Sequence, residues 1–280
     1  MIQRIDNTIV NGGLYKLPRM VVPKNLNGGI FDTDLSVFMC YLCKLTYGFQ
    51  TDNDYVEAKP SNFDFVNVYL EQRLPIGVKI IKPLVYNCRN VSGWSNRWGG
   101  FIFEWKNASF ICLRGSANVC DFYEDGKQNK TSALWLPKDS PALIHTGFNN
   151  MYTNEIRWGV KTLRDQIWDY FSSFSKTEFL KRRWYVTGHS LGAALSSVLA
   201  ADISVNNKEL RSVMEFYNFA PPCIGNADLV KIIMDASYRD GNYIGIFGII
   251  NYYDPVPTAF SGYRYIPTQI FEFSWNRCLL

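Results

Sequence analysis

The sequence lacks several features that would place it in other classes of protein. No apolar run approaches the ~18 residues that a membrane-spanning helix needs, and the first residues lack the apolar core of a secretory signal. These absences favour a cytoplasmic protein. Lysine and arginine number 29 against 25 acidic residues, without a dense basic block, so nothing indicates a nucleic-acid partner.

Histidine is sparse and occurs only twice. The seven cysteines are odd in number and widely spaced, which fits free thiols better than a disulfide framework. Cys40 and Cys43 have the spacing of a redox or metal pair, but they lie in a helical apolar pattern without a second pair. We therefore expect buried core cysteines, with no metal and no other cofactor.

What the sequence does contain is a large apolar core. Hydrophobic residues make up 47% of the chain and aromatic residues 16%, as in folded globular domains. Strand-like runs alternate with helical patterns, which predicts an α/β protein with a mostly parallel central sheet and helices on both faces. No repeat or linker is found, so residues 1–280 are predicted to form one domain, with an irregular arm over 1–30.

The predicted elements follow from apolar spacing and turn residues. Asp32 or Thr33 caps a helix with one apolar face: Leu35, Phe38, Met39, Leu42 and Leu45 or Thr46. A second helix is predicted from residues spaced by four and three: Ile156, Val160, Leu163, Ile167, Phe171 and Phe174. Strands are predicted over 78–86 with an interruption at Pro83, over 101–114 as a hairpin, and over 213–219, 244–250 and 263–273, with a helix over 227–236.

The stretch from Trp184 to Ala194 predicts a strand, a sharp turn and a helix. Gly188, Ser190 and Gly192 form a G-x-S-x-G pattern, which exposes a serine Oγ above a sheet. The glycines allow the strand and helix backbones to approach closely, where a Cβ would clash. The alternative interpretation is a glycine-rich turn with an ordinary surface serine.

An acid is expected after this serine. A serine hydroxyl becomes a nucleophile when a base takes its proton and a third group holds the base. In α/β hydrolases the acid follows the serine in the chain, and Asp254 stands at the end of the predicted strand over 244–250. Taken alone, an aspartate that caps a turn before Pro255 explains the position equally well.

Five short motifs occur along the chain, and together they cover roughly Asp32 to Tyr265 with their flanks. They are LRGS at 113–116, HTGF at 145–148, GHSLG at 188–192, FAPPCIGN at 219–226 and NYYDPVP at 251–257. In this order they resemble the class 3 (fungal-type) triacylglycerol lipase family. The family's FGxPRVGN pattern is altered here at Ala220 and Cys223.

The resemblance implies an α/β-hydrolase fold and a carboxylic ester hydrolase that acts on lipids through a serine nucleophile and an acyl-enzyme. It assigns Ser190 as the nucleophile and Asp254 as the acid. The backbone N–H groups of Ser116 and Leu191 form its oxyanion hole, and Arg114 is expected to tie loops together internally. The sharp turn that presents the nucleophile is called the elbow in this family, and its other residues here are Gly188, His189 and Gly192.

The histidines depart from the family pattern. The family's base follows the aspartate, whereas His145 and His189 both precede Asp254 and none of the later residues is histidine. We expect His145 to be structural and the sequence to lack the C-terminal end of the domain. The main alternative is a catalytically inactive lipase-like binding or signalling module, and an acyltransferase on the same elbow is a weaker third.

The resemblance also suggests a role for the polar span from Ala117 to Pro141. Loops longer than about 15 residues are usually functional or disordered, and this one carries Phe122, Trp135 and Leu136. We expect it to form a mobile lid that contacts a lipid surface transiently, since a lipase must expose an apolar face to reach its substrate.

Overall fold

The computed structural model of the protein describes residues 20, 23, 31–48, 58, 63–90, 93–116, 129–156, 159–239, 242–243, 245–251, 254–258 and 269–273. Three sequence predictions fall wholly or largely outside these residues. They are the arm over 1–30, the part of the lid over 117–128 that includes Phe122, and the strand residues 263–268.

The strands are β1 Lys79–Asn90, β2 Gly93–Trp105, β3 Ala108–Leu113, β4 Lys130–Thr131, β5 Ile144–His145, β6 Arg183–His189, β7 Met214–Phe219, β8 Tyr238–Arg239, β9 Asn242–Tyr243, β10 Ile246–Asn251 and β11 Gln269–Phe273. Seven of these described strands form one sheet in the order β1-β2-β3-β6-β7-β10-β11. The β1–β2 and β2–β3 pairs are antiparallel, and the pairs from β3 to β11 are parallel. The predicted mostly parallel sheet is confirmed.

The helices are α1 Thr33–Tyr47, α2 Phe63–Glu71, α3 Thr146–Thr153, α4 Leu163–Ser172, α5 Lys176–Lys181, α6 Leu191–Asn206, α7 Lys208–Arg211 and α8 Ala227–Asp235. α1 and α2 pack on one face of the sheet, and α3, α4, α6 and α8 pack on the other. Helices therefore cover both faces, as predicted. Within the described ranges, no helix is long and apolar enough to cross a membrane.

Parallel strands bring the candidate site residues to the same end of the sheet, beyond the carboxyl ends of the strands. Ser190 follows β6, Ser116 lies three residues after β3, and Asp254 lies three residues after β10. β7 is the single strand between β6 and β10. Because neighbouring strands are about 4.8 Å apart, the β6 and β10 axes are separated by about 10 Å.

Two local predictions are confirmed by the structure. Asp32 is the N-cap of α1, where its Oδ1 accepts a hydrogen bond from Leu35 N at 2.9 Å. The hairpin joins β2 to β3 through Lys106 and Asn107, whose φ angles are 48° and 59°. Two consecutive positive φ angles define the type I′ turn, whose twist matches that of the flanking strands.

The predicted helix from Ile156 to Phe174 is wrong in its first half. The helix α4 begins at Leu163, where the Thr162 side chain accepts a hydrogen bond from Asp165 N at 3.0 Å. Gly159 interrupts the pattern with a φ of +69°. The apolar spacing extends back to Ile156 because that residue is also buried. It packs on the face of the sheet that α1 covers, whereas the apolar residues of α4 pack on the other face.

The predicted interruption at Pro83 is also wrong, since β1 runs through it. β1 ends the order of the sheet as described, and proline is tolerated on an edge strand because one side of that strand needs no ladder hydrogen bond. The pairing of β1 with β2 is irregular on either side, between Ile80 and Lys82 and between Leu84 and Val85.

Trp135 and Leu136 lie in the core rather than over the candidate site. Both side chains are buried against the α6 face of the sheet. Asn206 Nδ2, at the last residue of α6, donates to Trp135 O at 3.1 Å. Ser190 precedes the other end of this 16-residue helix, about 22 Å away at 1.5 Å per residue. This part of the predicted lid therefore contacts the C-terminal end of α6. Of the three residues Leu134, Trp135 and Leu136, only Leu134 is exposed.

Candidate active site

Ser190 occupies a strained turn between β6 and α6. Its φ and ψ are 54° and −119°, in a region that residues with a side chain seldom adopt. Such a conformation costs about 1–3 kcal/mol and persists where the surroundings determine it. Ser190 N donates to Phe219 O at 2.9 Å, and Ser190 O accepts from Ala194 N at 3.0 Å. The predicted sharp turn is therefore present, with the serine at its tip.

The two elbow glycines allow contacts that no other residue permits. A Cβ on Gly188 would lie 2.2 Å from the carbonyl carbon of Gly192. A Cβ on Gly192 would in turn lie 2.2 Å from Leu113 O, at the end of β3. β6, α6 and β3 thus meet backbone to backbone at the serine.

The segment after β3 lies against the elbow. A Cβ on Gly115 would lie 2.5 Å from His189 O, and Ser116 is the next residue, half-buried. On the other side of the serine, Leu191 begins α6, and the first N–H groups of a helix have no partner within it. The backbone N–H groups of Ser116 and Leu191 are therefore carried by segments that meet at Ser190.

Arg114 ties this loop to the antiparallel strands. It is buried, and its Nε donates to Trp98 O at 2.5 Å while its Nη2 donates to Tyr86 Oη at 3.0 Å. Its backbone N–H donates to Gly99 O at 2.8 Å. These contacts confirm the predicted internal tie and fix the start of the loop that carries Ser116.

The contacts of Asp254 bear out the turn-capping interpretation of its position. Its Oδ1 accepts from Val256 N at 2.9 Å, so it caps its own turn. Its charge also acts on the elbow: burial lowers the pKa of His189, and Asp254 opposes that shift. The role of Asp254 as the acid stays a prediction.

Both histidines have structural partners. His145 is buried and caps α3, with its Nδ1 accepting from Gly147 N at 3.1 Å. Burial lowers its pKa to about 4, so its imidazole is neutral at neutral pH. The structure thus supports the structural role expected for His145. His189 Nδ1 lies 2.7 Å from Tyr47 Oη.

Tyr47 is a neighbour of the site that the sequence did not reveal. It is the last residue of α1 and lies 142 residues before His189. The only signal is its position four residues after the buried Cys43, which continues the inward face of the helix. A tyrosine at the end of an amphipathic helix is too common to indicate a site by itself.

Among the described cysteines, Cys43, Cys112 and Cys223 are buried in the core, whereas Cys40 of the expected core pair is only half-buried. Cys43 Sγ lies 3.2 Å from Thr187 Oγ1, and burial raises the pKa values of Cys43, Cys112 and Cys223. These thiols are therefore poor sources of thiolate. In the part of the chain that the structure describes, no group of three or more His, Cys, Asp or Glu side chains is arranged to hold a metal ion.

The geometry agrees with comparisons to known proteins. Residues 110–263 match the family described as Lipase (class 3), a segment longer than half of the 280-residue chain. The chain belongs to the class 3 lipase family. A search of curated proteins found no match for this class 3 lipase chain.

Solved lipases share its fold. The nonglycosylated LIP2 lipase of Yarrowia lipolytica aligns with a TM-score of 0.60 and 16% identity, over 90% of this chain and 83% of that one. A mutant form of MDLA from Penicillium cyclopium aligns with 0.56 and 18%, over 89% and 83%. The Rhizomucor miehei triacylglyceride lipase aligns with 0.49 and 22%, over 67% of this chain and 64% of its own length. The chain thus spans less than two thirds of that relative.

The departure from the family pattern at Ala220 has a measurable consequence. Ala220 follows β7 with a φ of 47°, where the family pattern has glycine. A side chain in this left-handed region costs about 1–2 kcal/mol. We expect Ala220→Gly to raise the free energy of unfolding by about 0.5–1 kcal/mol, because the relieved strain exceeds the added entropy of the unfolded chain.

Denaturant unfolding measures this effect, with Ala200→Gly as the control. Ala200 lies inside α6 and is fully buried, so the same change there should destabilise the protein by about 1 kcal/mol or more. Opposite signs at the two positions support the strain at Ala220. A destabilisation of equal size at both positions contradicts it.

Proposed function

We propose that this class 3 lipase chain hydrolyses carboxylic esters of lipids, with Ser190 as the nucleophile. The observation that carries the proposal is the strained backbone of Ser190 at the tip of a turn between β6 and α6. Strain at one serine, maintained by the close approach of Gly188 and Gly192, is typical of a nucleophile elbow. An ordinary surface serine has no need of this conformation.

The proposed reaction proceeds through an acyl-enzyme. Ser190 Oγ attacks the ester carbonyl and gives its proton to a base, the alcohol leaves with a proton, and water then releases the acid. The backbone N–H groups of Leu191 and Ser116 stabilise the tetrahedral oxyanion. Asp254 holds the base and stabilises its charged form. Removal of one preorganised donor typically raises the barrier by about 3–4 kcal/mol.

No residue of the chain is assigned as the base. His145 caps α3, and His189 contacts Tyr47, so each imidazole has a different role. This occupancy favours a second candidate function, a lipase-like module that binds lipid without turning it over. The two functions differ in whether Ser190 reacts.

Free imidazole distinguishes them. We expect the 280-residue chain to hydrolyse p-nitrophenyl butyrate barely above background, and added imidazole to raise the rate about fivefold or more, since the serine then gains a proton acceptor. The Ser190→Ala protein in the same buffer supplies the background, because imidazole itself hydrolyses nitrophenyl esters. That protein should show no enzyme-dependent increase.

Ser204→Ala is the matched control. Ser204 lies near the far end of α6, where its Oγ donates to Ala200 O at 2.6 Å, so its loss should leave the rate unchanged. Equal rates for the parent and Ser190→Ala at every imidazole concentration would contradict hydrolysis through Ser190. Binding of lipid vesicles by such an inactive parent would favour the binding module.

A further inference from the structure

Tyr47 lies between the two segments that carry the proposed oxyanion donors. Its hydroxyl is 2.7 Å from His189 Nδ1, and the two rings meet edge to face with centroids 5.9 Å apart. The same hydroxyl packs on Gly115, where an added Cβ would lie only 2.0 Å from it. One phenol therefore contacts both the loop that leads to Ser116 and the strand that leads to Ser190.

The position of Tyr47 is fixed by the way α1 lies along β6. Cys43 contacts Thr187 through their side chains, and Tyr47 contacts His189. Four helical residues rise about 6.0 Å, and two strand residues rise about 6.6 Å. The two contacts therefore keep α1 and β6 in register over this distance. Tyr47 belongs to a packed helix rather than to a loose loop.

The bond between Tyr47 and His189 joins two neutral groups. Burial lowers the pKa of His189, with Asp254 opposing, and burial raises the pKa of Tyr47. The imidazole and the phenol are therefore both uncharged at neutral pH. In the tautomer with its proton on Nε2, the imidazole accepts the phenol proton at Nδ1. Such a bond depends on direction and is insensitive to salt.

We propose that Tyr47 is a positioning residue for the oxyanion hole, an inference that rests on the proposed function. Its hydroxyl holds Gly115, and with it the Ser116 N–H, against the elbow. Through His189 it also fixes the peptide that enters Ser190. Donors stabilise an oxyanion only when they are already in place. Release of the loop should therefore weaken binding of the transition state more than binding of the substrate.

The test compares Tyr47→Phe with Tyr41→Phe. The control also removes a buried hydroxyl from α1, but Tyr41 Oη donates to Arg73 O at 2.9 Å, in the segment after α2. Two quantities are measured in the full 280-residue chain: amide hydrogen exchange at Gly115 and Ser116, and the imidazole-dependent, Ser190-dependent hydrolysis of p-nitrophenyl butyrate.

We expect Tyr47→Phe to speed exchange at both amides about fivefold and to lower kcat about tenfold, with KM changed by less than about twofold. Tyr41→Phe should leave exchange at these amides and kcat at the parent values. If the Tyr47 hydroxyl only stabilised the fold, Tyr47→Phe would lower the free energy of unfolding about as much as Tyr41→Phe does. It would then not lower kcat selectively over KM.

A Tyr47→Phe protein with the parent's kcat overturns the inference, whether or not its loop exchanges faster. A lower kcat with unchanged exchange at Gly115 and Ser116 overturns it as well, since the loop would then not be the intermediary. A parent without Ser190-dependent hydrolysis overturns the proposed function first, and the inference with it. The behaviour of the parent therefore separates the two failures.

Discussion

Gly192→Ala is expected to lower the free energy of unfolding by more than about 3 kcal/mol. Its Cβ would lie 2.2 Å from Leu113 O and 2.9 Å from the carbonyl carbon of Arg114. Both atoms are backbone, so no side-chain rotation relieves the overlap, and α6 or β3 must move within a close-packed core. Alanine is the better helix former by about 1 kcal/mol, which is too little to compensate.

Urea unfolding of the variant measures this change, and Gly77→Ala is the control. Gly77 has a φ of +84° and no atom within 4 Å of an added Cβ. Its replacement should cost only about 1–2 kcal/mol, from backbone conformation alone. If Gly192→Ala is as stable as Gly77→Ala, the close approach of α6 and β3 at the elbow is not rigid.

The second large effect is expected at Asp202, a fully buried carboxylate of α6. It accepts hydrogen bonds at 2.7–3.2 Å from four side chains of α3, α4 and α6: Tyr152, Arg164, Trp168 and Asn206. We expect Asp202→Ala to lower the free energy of unfolding by about 3–5 kcal/mol. The substitution leaves the partly buried Arg164 guanidinium, the Tyr152 hydroxyl and the Trp168 indole N–H without their shared acceptor.

Thermal and urea unfolding measure this loss, with Asp235→Ala as the control. Asp235 forms an ion pair with Lys231 at 2.7 Å, and both side chains are largely exposed. Its removal should change the stability by less than about 0.5 kcal/mol. The Arg164→Met variant completes a double-mutant cycle, in which the two losses should be strongly non-additive. Additive losses would show that Asp202 and Arg164 act independently.

The elbow was predictable from sequence because its requirements are local. Gly188, Ser190 and Gly192 lie within five residues, and the strained turn they allow leaves a pattern that can be read without tertiary structure. The hairpin at Lys106 and Asn107 was predictable for the same reason. In both cases neighbouring residues determine the backbone.

The elements that sequence misplaced depend on tertiary contacts. Ile156 continues the apolar period of α4, but it packs in the core on the face that α1 covers. Trp135 occurs in a polar span, and only its contact with Asn206 shows that it anchors the far end of α6. A periodic pattern records that a residue is buried. It does not record against which layer.

The candidate site also contains features that are readable from local sequence and features that depend on tertiary contacts. The motif identified Ser190, but the environment of Asp254 depends on how its turn meets the elbow, and sequence left two interpretations open. The structure shows the turn-capping hydrogen bond to Val256, and the role of Asp254 as the acid stays a prediction. The position of Tyr47 on the inward face of α1 indicated burial but not a site, because its partner lies 142 residues further along the chain.

That separation has a consequence for what holds the site together. Closing a loop of 142 residues costs roughly 4 kcal/mol of chain entropy, whereas a single hydrogen bond contributes about 1 kcal/mol. The contacts from Tyr47 and Cys43 therefore cannot by themselves recruit α1 to β6. The buried apolar face of α1, which includes Phe38 and Leu42, must supply the difference. The contact between Tyr47 and the elbow thus depends on buried apolar residues of α1 that lie in the core and not in the candidate site.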